Sequence, residues 1–149
     1  NLLEAFYRSW LSTEQAVKGK KILVTIADEA KAKLLESVKM LHDTGYMLHA
    51  TRGTHEFLQQ HGIASTLLYR IDEKKEPNIA TVLKSKKIDL AINIPSAIPN
   101  LDATKIRRLA IDNHIPLITN AEIAAVLLRC IVEVNLKKLE PKSWQEFIG

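Results

Sequence analysis

The sequence predicts an α/β protein, a three-layer wound sandwich on a mostly parallel five-stranded sheet. Three observations lead there. Five short apolar runs alternate with segments of helical length. The first run, Ile22-Leu23-Val24-Thr25-Ile26, is apolar almost without interruption, as a strand covered on both faces must be. The segments between the runs carry apolar residues at helical spacing and are bounded by Asp, Pro or Gly. Strands joined through helices pair in parallel, and the helices cover both faces of the sheet.

Taken in order, Leu3, Phe6, Tyr7, Trp10 and Leu11 share one helical face, giving a leader helix over residues 2–11 that Ser12-Thr13 breaks. Residues 22–26 form the first strand. Asp28 is expected to cap a helix to about residue 43, with Ala30, Leu34, Leu35, Val38 and Leu41 on one side and Gly45 at its end. Residues 46–50 form the second strand, and a helix over about 54–61 is stopped by Gly62. A third strand covers about 64–69, followed by the charged loop Asp72-Glu73-Lys74-Lys75-Glu76 and by Pro77, which starts a helix to about 85. Residues 88–93 make the fourth strand, which runs into a proline-containing loop from 94 to 101. Asp102 caps a helix to about 113, residues 116–118 form the fifth strand, and residues 121–134 a strongly apolar helix in which Ile123, Val126, Leu127 and Ile131 face the core. The expected division is a leader and linker over 1–16, the α/β domain over 17–135 and a tail over 136–149 containing Pro141 and Trp144.

Composition narrows the function. A chain of 149 residues has room for one domain with a substantial core. The net charge of +4 is mild and its basic residues form no long block, which argues against a nucleic-acid partner and suits small anions. The single cysteine, Cys130, lies in an apolar run and reads as a buried, inert thiol, excluding an intrachain disulfide. No 18-residue apolar stretch and no signal-peptide pattern is present, so the expectation is a cytoplasmic protein with no membrane partner. The five histidines, His42, His49, His55, His61 and His114, show no metal-ligand spacing, and no Gly-x-Ser-x-Gly elbow or dinucleotide fingerprint occurs.

In a wound sheet, ligands sit at the carboxyl ends of the strands. The turns there carry Ala27-Asp28, Thr51 to Thr54, Arg70, Asn93 to Ser96 and Thr119-Asn120. The most informative is Ala50-Thr51-Arg52-Gly53-Thr54, where a strand passes through a hydroxyl- and glycine-containing turn into a helix. Gly53 lets the backbone come close, Thr51 and Thr54 can donate from their hydroxyls, and the first amides of the helix are unpaired, which together suit a phosphate. The plainer alternative is that Thr54 N-caps the helix and Gly53 makes the turn.

The order of these elements, with Ala50-Thr51-Arg52-Gly53-Thr54, Ile88-Asp89-Leu90-Ala91-Ile92-Asn93, Ile106-Arg107-Arg108 and Ile115-Pro116-Leu117-Ile118-Thr119-Asn120, resembles the methylglyoxal synthase-like domain. More narrowly it is similar to the carboxyl-terminal regulatory domain of the carbamoyl phosphate synthase large subunit, which Glu4-Ala5-Phe6 and Lys142-Ser143-Trp144-Gln145-Glu146-Phe147 also resemble. The resemblance implies an allosteric domain without catalytic residues, metal or cofactor of its own. Its parent would make carbamoyl phosphate from bicarbonate, ATP with Mg or Mn, and glutamine-derived ammonia, for pyrimidine or arginine synthesis. The implied partners are a small anionic effector, either a nucleotide or an amino-acid derivative, the synthetase domains of the same chain and a glutaminase small subunit.

By matching positions, the resemblance implies an effector site of Thr51, Gly53 and Thr54, a lysine before the first strand (Lys18, Lys20 or Lys21), Arg70, Asn93 and Ser96. An arginine can hold phosphate bidentately. After Asn93 this chain has Ile94-Pro95-Ser96, where similar nucleotide-regulated members carry further hydroxyls. Two alternatives stand beside the regulator. A methylglyoxal synthase-type lyase needs a carboxylate base, and the implied aspartate positions are occupied by Lys75-Glu76-Pro77-Asn78 and Ile94-Pro95-Ser96, leaving Glu76 as a stand-in. A purely structural or oligomerising domain would use the apolar faces of the first and last helices. Arg107 and Arg108 read as salt-bridging or domain-contact residues, with a ligand role as the other possibility.

Overall fold

The computed structural model describes residue 5, residues 19–98 and residues 101–138, the side chains of residues 101 and 134–138 excepted. The expected leader helix (Ala5 apart, which is helical), Lys18 and the tail beyond residue 138 lie outside the described residues.

Five strands form one parallel sheet: β1 (Lys21–Ile26), β2 (Met47–Ala50), β3 (Thr66–Leu67), β4 (Leu90–Ile94) and β5 (Leu117–Ile118), in the order β3-β2-β1-β4-β5. Helices α1 (Asp28–Asp43), α2 (Arg52–Gln60), α3 (Ile79–Lys84), α4 (Leu101–Asp112) and α5 (Ala121–Lys138) connect or follow them. Every adjacent pair is parallel because each connection contains a helix or a crossover that returns the chain to the same edge. The apolar run of β1 divides between two faces with period two. Ile22, Val24 and Ile26 join Leu34, Leu41, Leu58, Leu127 and Ile131 on the side of α1, α2 and α5. Leu23 faces the other way, with Ile79, Leu83, Ile106 and Ala110 of α3 and α4. Each such buried aliphatic side chain contributes about 1.5–3 kcal/mol relative to exposure.

Several boundaries differ from the sequence reading. Asp28 does not cap α1: Ala27 occupies the N-cap position without a side-chain bond, and Asp28 lies in the first turn. Helix α2 begins at Arg52, with Thr51 and not Thr54 at the N-cap. The third strand shrinks to Thr66–Leu67: the Leu68 amide still donates to the Ala50 carbonyl at 2.8 Å, and Tyr69 then turns away to bridge Asn78. Helix α3 starts at Ile79, where the Asn78 side chain accepts from the Thr81 amide at 2.9 Å. On α5, Leu127 and Ile131 are core, but Ile123 and Val126 are exposed at 45% and 37%.

The sheet order reverses between β1 and β4. From β1 the chain goes out through β2 to β3, and it returns to the other side of β1 as β4. Connections diverge there, opening a crevice at the carboxyl ends of those two strands.

Candidate functional site

A cavity of about 350 Å³ occupies that crevice. Its floor is the end of β1 and β4, with Thr25, Ile26, Asn93 and Ile94, and its sides are the starts of α1, α2 and α4. Thr51, Gly53, Thr54, Arg70, Asn93 and Ser96, dispersed along the sequence, all line it. The parallel sheet brings them together by aligning the carboxyl ends of the strands.

Their chemical states differ. Thr51 caps α2 by position only: its side chain makes no cap bond, which leaves the hydroxyl and the first amides of the helix open to the cavity. Thr54 is 3% exposed, and its Oγ1 accepts from the Ile26 amide at 3.1 Å and donates to the Ile26 carbonyl at 3.4 Å. That hydroxyl is committed to holding α2 against β1. Asn93 is similarly engaged: its Oδ1 accepts from Thr25 Oγ1 at 2.7 Å, and its Nδ2 donates to the Ala103 carbonyl at 3.1 Å. Ser96 Oγ accepts from the Ile98 amide at 3.3 Å.

Gly53 has an ordinary negative φ, and a Cβ there would meet only Lys31 Nζ, at 3.6 Å. The cavity therefore has its lysine, and it is Lys31 of α1, which sequence reasoning missed. Its side chain is 13% exposed, pairs with Asp28 Oδ1 at 2.5 Å and places Nζ 5.9 Å from the Phe57 ring centroid. The signal available in the sequence was Asp28-x-x-Lys31, an acidic–basic pair one turn apart opening the helix that follows the first strand. Lys20 and Lys21 are placed at the opposite edge of the sheet. Lys20 Nζ lies 5.5 Å from the Tyr46 ring centroid, and Lys21 opens β1 beside Met47. At about 3.3 Å per strand residue, the six residues of β1 put that edge roughly 16 Å from the cavity.

Arg70 reaches the cavity mouth half-exposed, at 3.5 Å from Asp72, 3.7 Å from Glu73 and 3.9 Å from Asp102. Exposed pairs of this kind are weak, so a bound anion can displace them. Three carboxylates also border the cavity: Asp28, which the sequence places at this edge of the sheet, and Glu29 and Asp102, which sequence reasoning did not place here. The Lys31 ammonium holds the Asp28 carboxyl below the usual carboxylate range. Hydrogen bonds from its own amide, the Ala97 amide and Ser96 do the same for Glu29, whose Oε1 lies 3.1 Å from Ala97 N. Carboxylates with lowered pKa are poor general bases.

Glu76, the stand-in base, accepts from Thr81 Oγ1 and Asn78 Nδ2 and does not line the cavity. His55 Nδ1 pairs with Ser65 Oγ at 2.6 Å, and His61 Nδ1 with the Phe57 carbonyl at 2.9 Å. No cluster of metal-ligating side chains occurs among the described residues, and no described helix is long and apolar enough to cross a membrane. Burial pushes the Cys130 thiol up to about 11, in keeping with an inert core cysteine. Arg107 and Arg108 are exposed and do not line the cavity.

An all-parallel five-stranded sheet with a polar crevice at its topological switch point defines a wound α/β domain. The MGS-like domain family model matches residues 33–119, and the chain belongs to that family. Several of its relatives are carbamoyl phosphate synthase large chains. The large chain of Thermoplasma volcanium is 30% identical over 95% of this chain, and the carboxyl-terminal section from Aquifex aeolicus is 30% identical over 93%. The multifunctional protein URA2 of Saccharomyces cerevisiae is 39% identical over 86%. This chain spans 14%, 26% and 6% of those three relatives, respectively. Among solved structures, a methylglyoxal synthase from Elizabethkingia anophelis shares the fold with a TM-score of 0.60 at 16% identity, over 73% of this chain and 76% of its own.

Proposed function

We propose that this chain is the effector-binding regulatory domain of a carbamoyl phosphate synthase large chain, taking a small phosphorylated or carboxylated anion in the β1–β4 crevice and doing no chemistry itself. The observation that carries the reading is the meeting of Lys31, Arg70, the Thr51 hydroxyl and the open amides of Gly53 and Thr54 around one cavity. Hydrogen bonds from such charged and oriented donors contribute roughly 1.5–3 kcal/mol each. The parent enzyme, in this reading, joins bicarbonate, ATP and glutamine-derived ammonia, with its synthetase domains and a glutaminase subunit as partners. Effector binding biases the arrangement of this domain against its neighbours by a coupling free energy, typically about 1–3 kcal/mol.

The test is a calorimetric titration with uridine and inosine monophosphates, uridine triphosphate, N-acetylglutamate, ornithine and inorganic phosphate, repeated with Lys31→Gln. Saturable binding of one of these that Lys31→Gln weakens supports the reading and names the effector class. Absence of binding across the panel, from folded protein, removes it.

The lyase alternative draws on one observation, Asp102 beside Arg70 in the cavity. Incubation with dihydroxyacetone phosphate, followed by assay for methylglyoxal, decides it: product lost in Asp102→Asn would replace the regulator with an enzyme.

A further inference from the structure

Glu29, the second residue of α1, lines the β1–β4 crevice and turns its carboxylate toward the loop that follows β4. Its Oε1 accepts from the Ala97 amide at 3.1 Å, a bond across 68 positions of sequence. Ser96 Oγ, which accepts from the Ile98 amide at 3.3 Å, donates its proton to the same carboxylate, and the amide of Glu29 itself is a third donor. The sheet makes the contact possible. Strands β1 and β4 pair up to Ile26 and Ile94, and the Ala27 amide then donates to the Ile94 carbonyl at 2.9 Å, so the two turns leave the sheet side by side.

We infer that Glu29 is an intramolecular competitor for the anion: its carboxylate occupies the Ser96 and Ala97 donors, and an anion in the crevice gains them only by displacing it. The inference rests on the anion-binding reading of the crevice and adds to it the contact that limits affinity there. Two observations carry it. The first is the donor set around Glu29, a hydroxyl and two backbone amides, which are the groups that hold a carboxylate or a phosphate. The second is the charge of the lining. Lys31 and Arg70 are its cations, against the carboxylates of Asp28, Glu29 and Asp102. Asp28 lies against Lys31 and Asp102 against Arg70, so Glu29 is the carboxylate in excess of this pairing.

A position in the first turn of α1 suits any acidic side chain, because the helix dipole favours negative charge there. That preference accounts for Asp28 and Glu29 alike. It does not account for Glu29 reaching over to bond a different turn. An anion that settles between Lys31 and Arg70 meets Glu29 as a like charge at short range, which drives the carboxylate off its donors. Glu29 and Ala97 are exposed, so the side chain can swing into solvent without disturbing the core. Donors that Glu29 leaves free about one-tenth of the time lower the apparent affinity of an anion that needs them by about tenfold.

The probe is inorganic phosphate, titrated at neutral pH and constant ionic strength and followed by backbone amide NMR, which also reports the fold of each variant. Glu29→Ala is expected to bind phosphate about tenfold more tightly than the parent chain, and Glu29→Gln, which keeps an acceptor oxygen without the charge, about threefold more tightly. In the parent, the Ala97 amide signal should move together with those of Gly53 and Thr54 as phosphate is added. Glu36→Gln, which removes the same charge from an exposed position further along α1, should stay within about twofold of the parent. Phosphate binding by the parent with no gain in Glu29→Ala, an Ala97 signal that stays fixed while Gly53 and Thr54 respond, or an equal gain in Glu36→Gln would overturn the competitor and leave the effector reading standing. Failure of phosphate to bind either the parent or Glu29→Ala would overturn the two together.

Discussion

Thr25 and Asn93 stand opposite each other on β1 and β4, and the Thr25 hydroxyl donates to Asn93 Oδ1 at 2.7 Å in a buried bond. Asn93 passes the connection on to the Ala103 carbonyl in α4, so the amide spans the floor of the cavity from β1 to a helix on its rim. Removing the Thr25 hydroxyl strands that amide oxygen in a buried site. Thr25→Val is expected to destabilise the domain by about 1–3 kcal/mol, the cost of an unsatisfied buried acceptor. Urea denaturation checks it, and an unchanged midpoint would show that the bond carries nothing.

The two threonines of the α2 turn should separate by experiment. Thr54→Val loses both bonds to Ile26 and should lower stability by about 1–2 kcal/mol. Thr51→Ala, whose hydroxyl makes no cap bond, should leave the denaturation midpoint nearly unchanged and weaken phosphate binding. The opposite pattern would exchange their roles.

Gly53→Ala tests the backbone approach. With an ordinary φ and only Lys31 Nζ near a new Cβ, the methyl group fits the free protein, and alanine should leave stability unchanged or raise it by up to about 1 kcal/mol. The same methyl group would stand between Lys31 and the helix amides. Loss of anion binding from a protein at least as stable as the parent is expected, and retained affinity would place the anion elsewhere.

On the proposed reading Lys31 bonds the anion, and Lys31→Gln should weaken a phosphorylated effector by on the order of tenfold to a hundredfold. Lys20→Gln, at the other edge of the sheet, should change affinity little. A larger loss from Lys20 than from Lys31 in the same titration would contradict the placement of the cavity.

His49 sets a pH dependence. Among the described residues its Nδ1 is buried without a hydrogen-bond partner, and burial, with a smaller push from the Lys21 charge and against opposing backbone hydrogen bonds, holds its pKa below 6.5. The unfolded chain therefore binds the proton more readily than the folded one. The His49 contribution is fully present above about 6.5 and is lost as pH falls through the folded pKa. The stability difference between the parent and His49→Gln, measured by denaturation from pH 8 to pH 5, should shift toward the variant as pH drops, and a constant difference would remove His49 from the acid response.

Much of the fold was legible because strand and helix differ in period. The β1 run from Ile22 to Ile26 and the apolar stripe Leu34, Val38 and Leu41 announce a two-sided strand and a one-sided helix from local pattern alone. Ends were less legible. Helix α2 begins two residues before Thr54 because the Thr54 hydroxyl is drawn down to Ile26, a bond across 28 positions that local capping rules do not contain. Ile123 and Val126 share the apolar composition of α5, yet composition does not say which stripe meets α1.

By itself the sequence determined the alternation of elements, the placement of polar turns at the strand ends and the likeness to the MGS-like family, since each rests on residue order and local periodicity. Only the tertiary structure decided which cation belongs to the cavity. Lys20 and Lys21 lie just before or at the start of β1, whereas Lys31 is one turn inside the helix that follows it. A strand carries its two ends to opposite edges of the sheet, and the helix after it leaves from the carboxyl edge. Proximity in sequence thus favoured the amino-terminal lysines, and the direction of the chain through the sheet brought Lys31 to face Gly53.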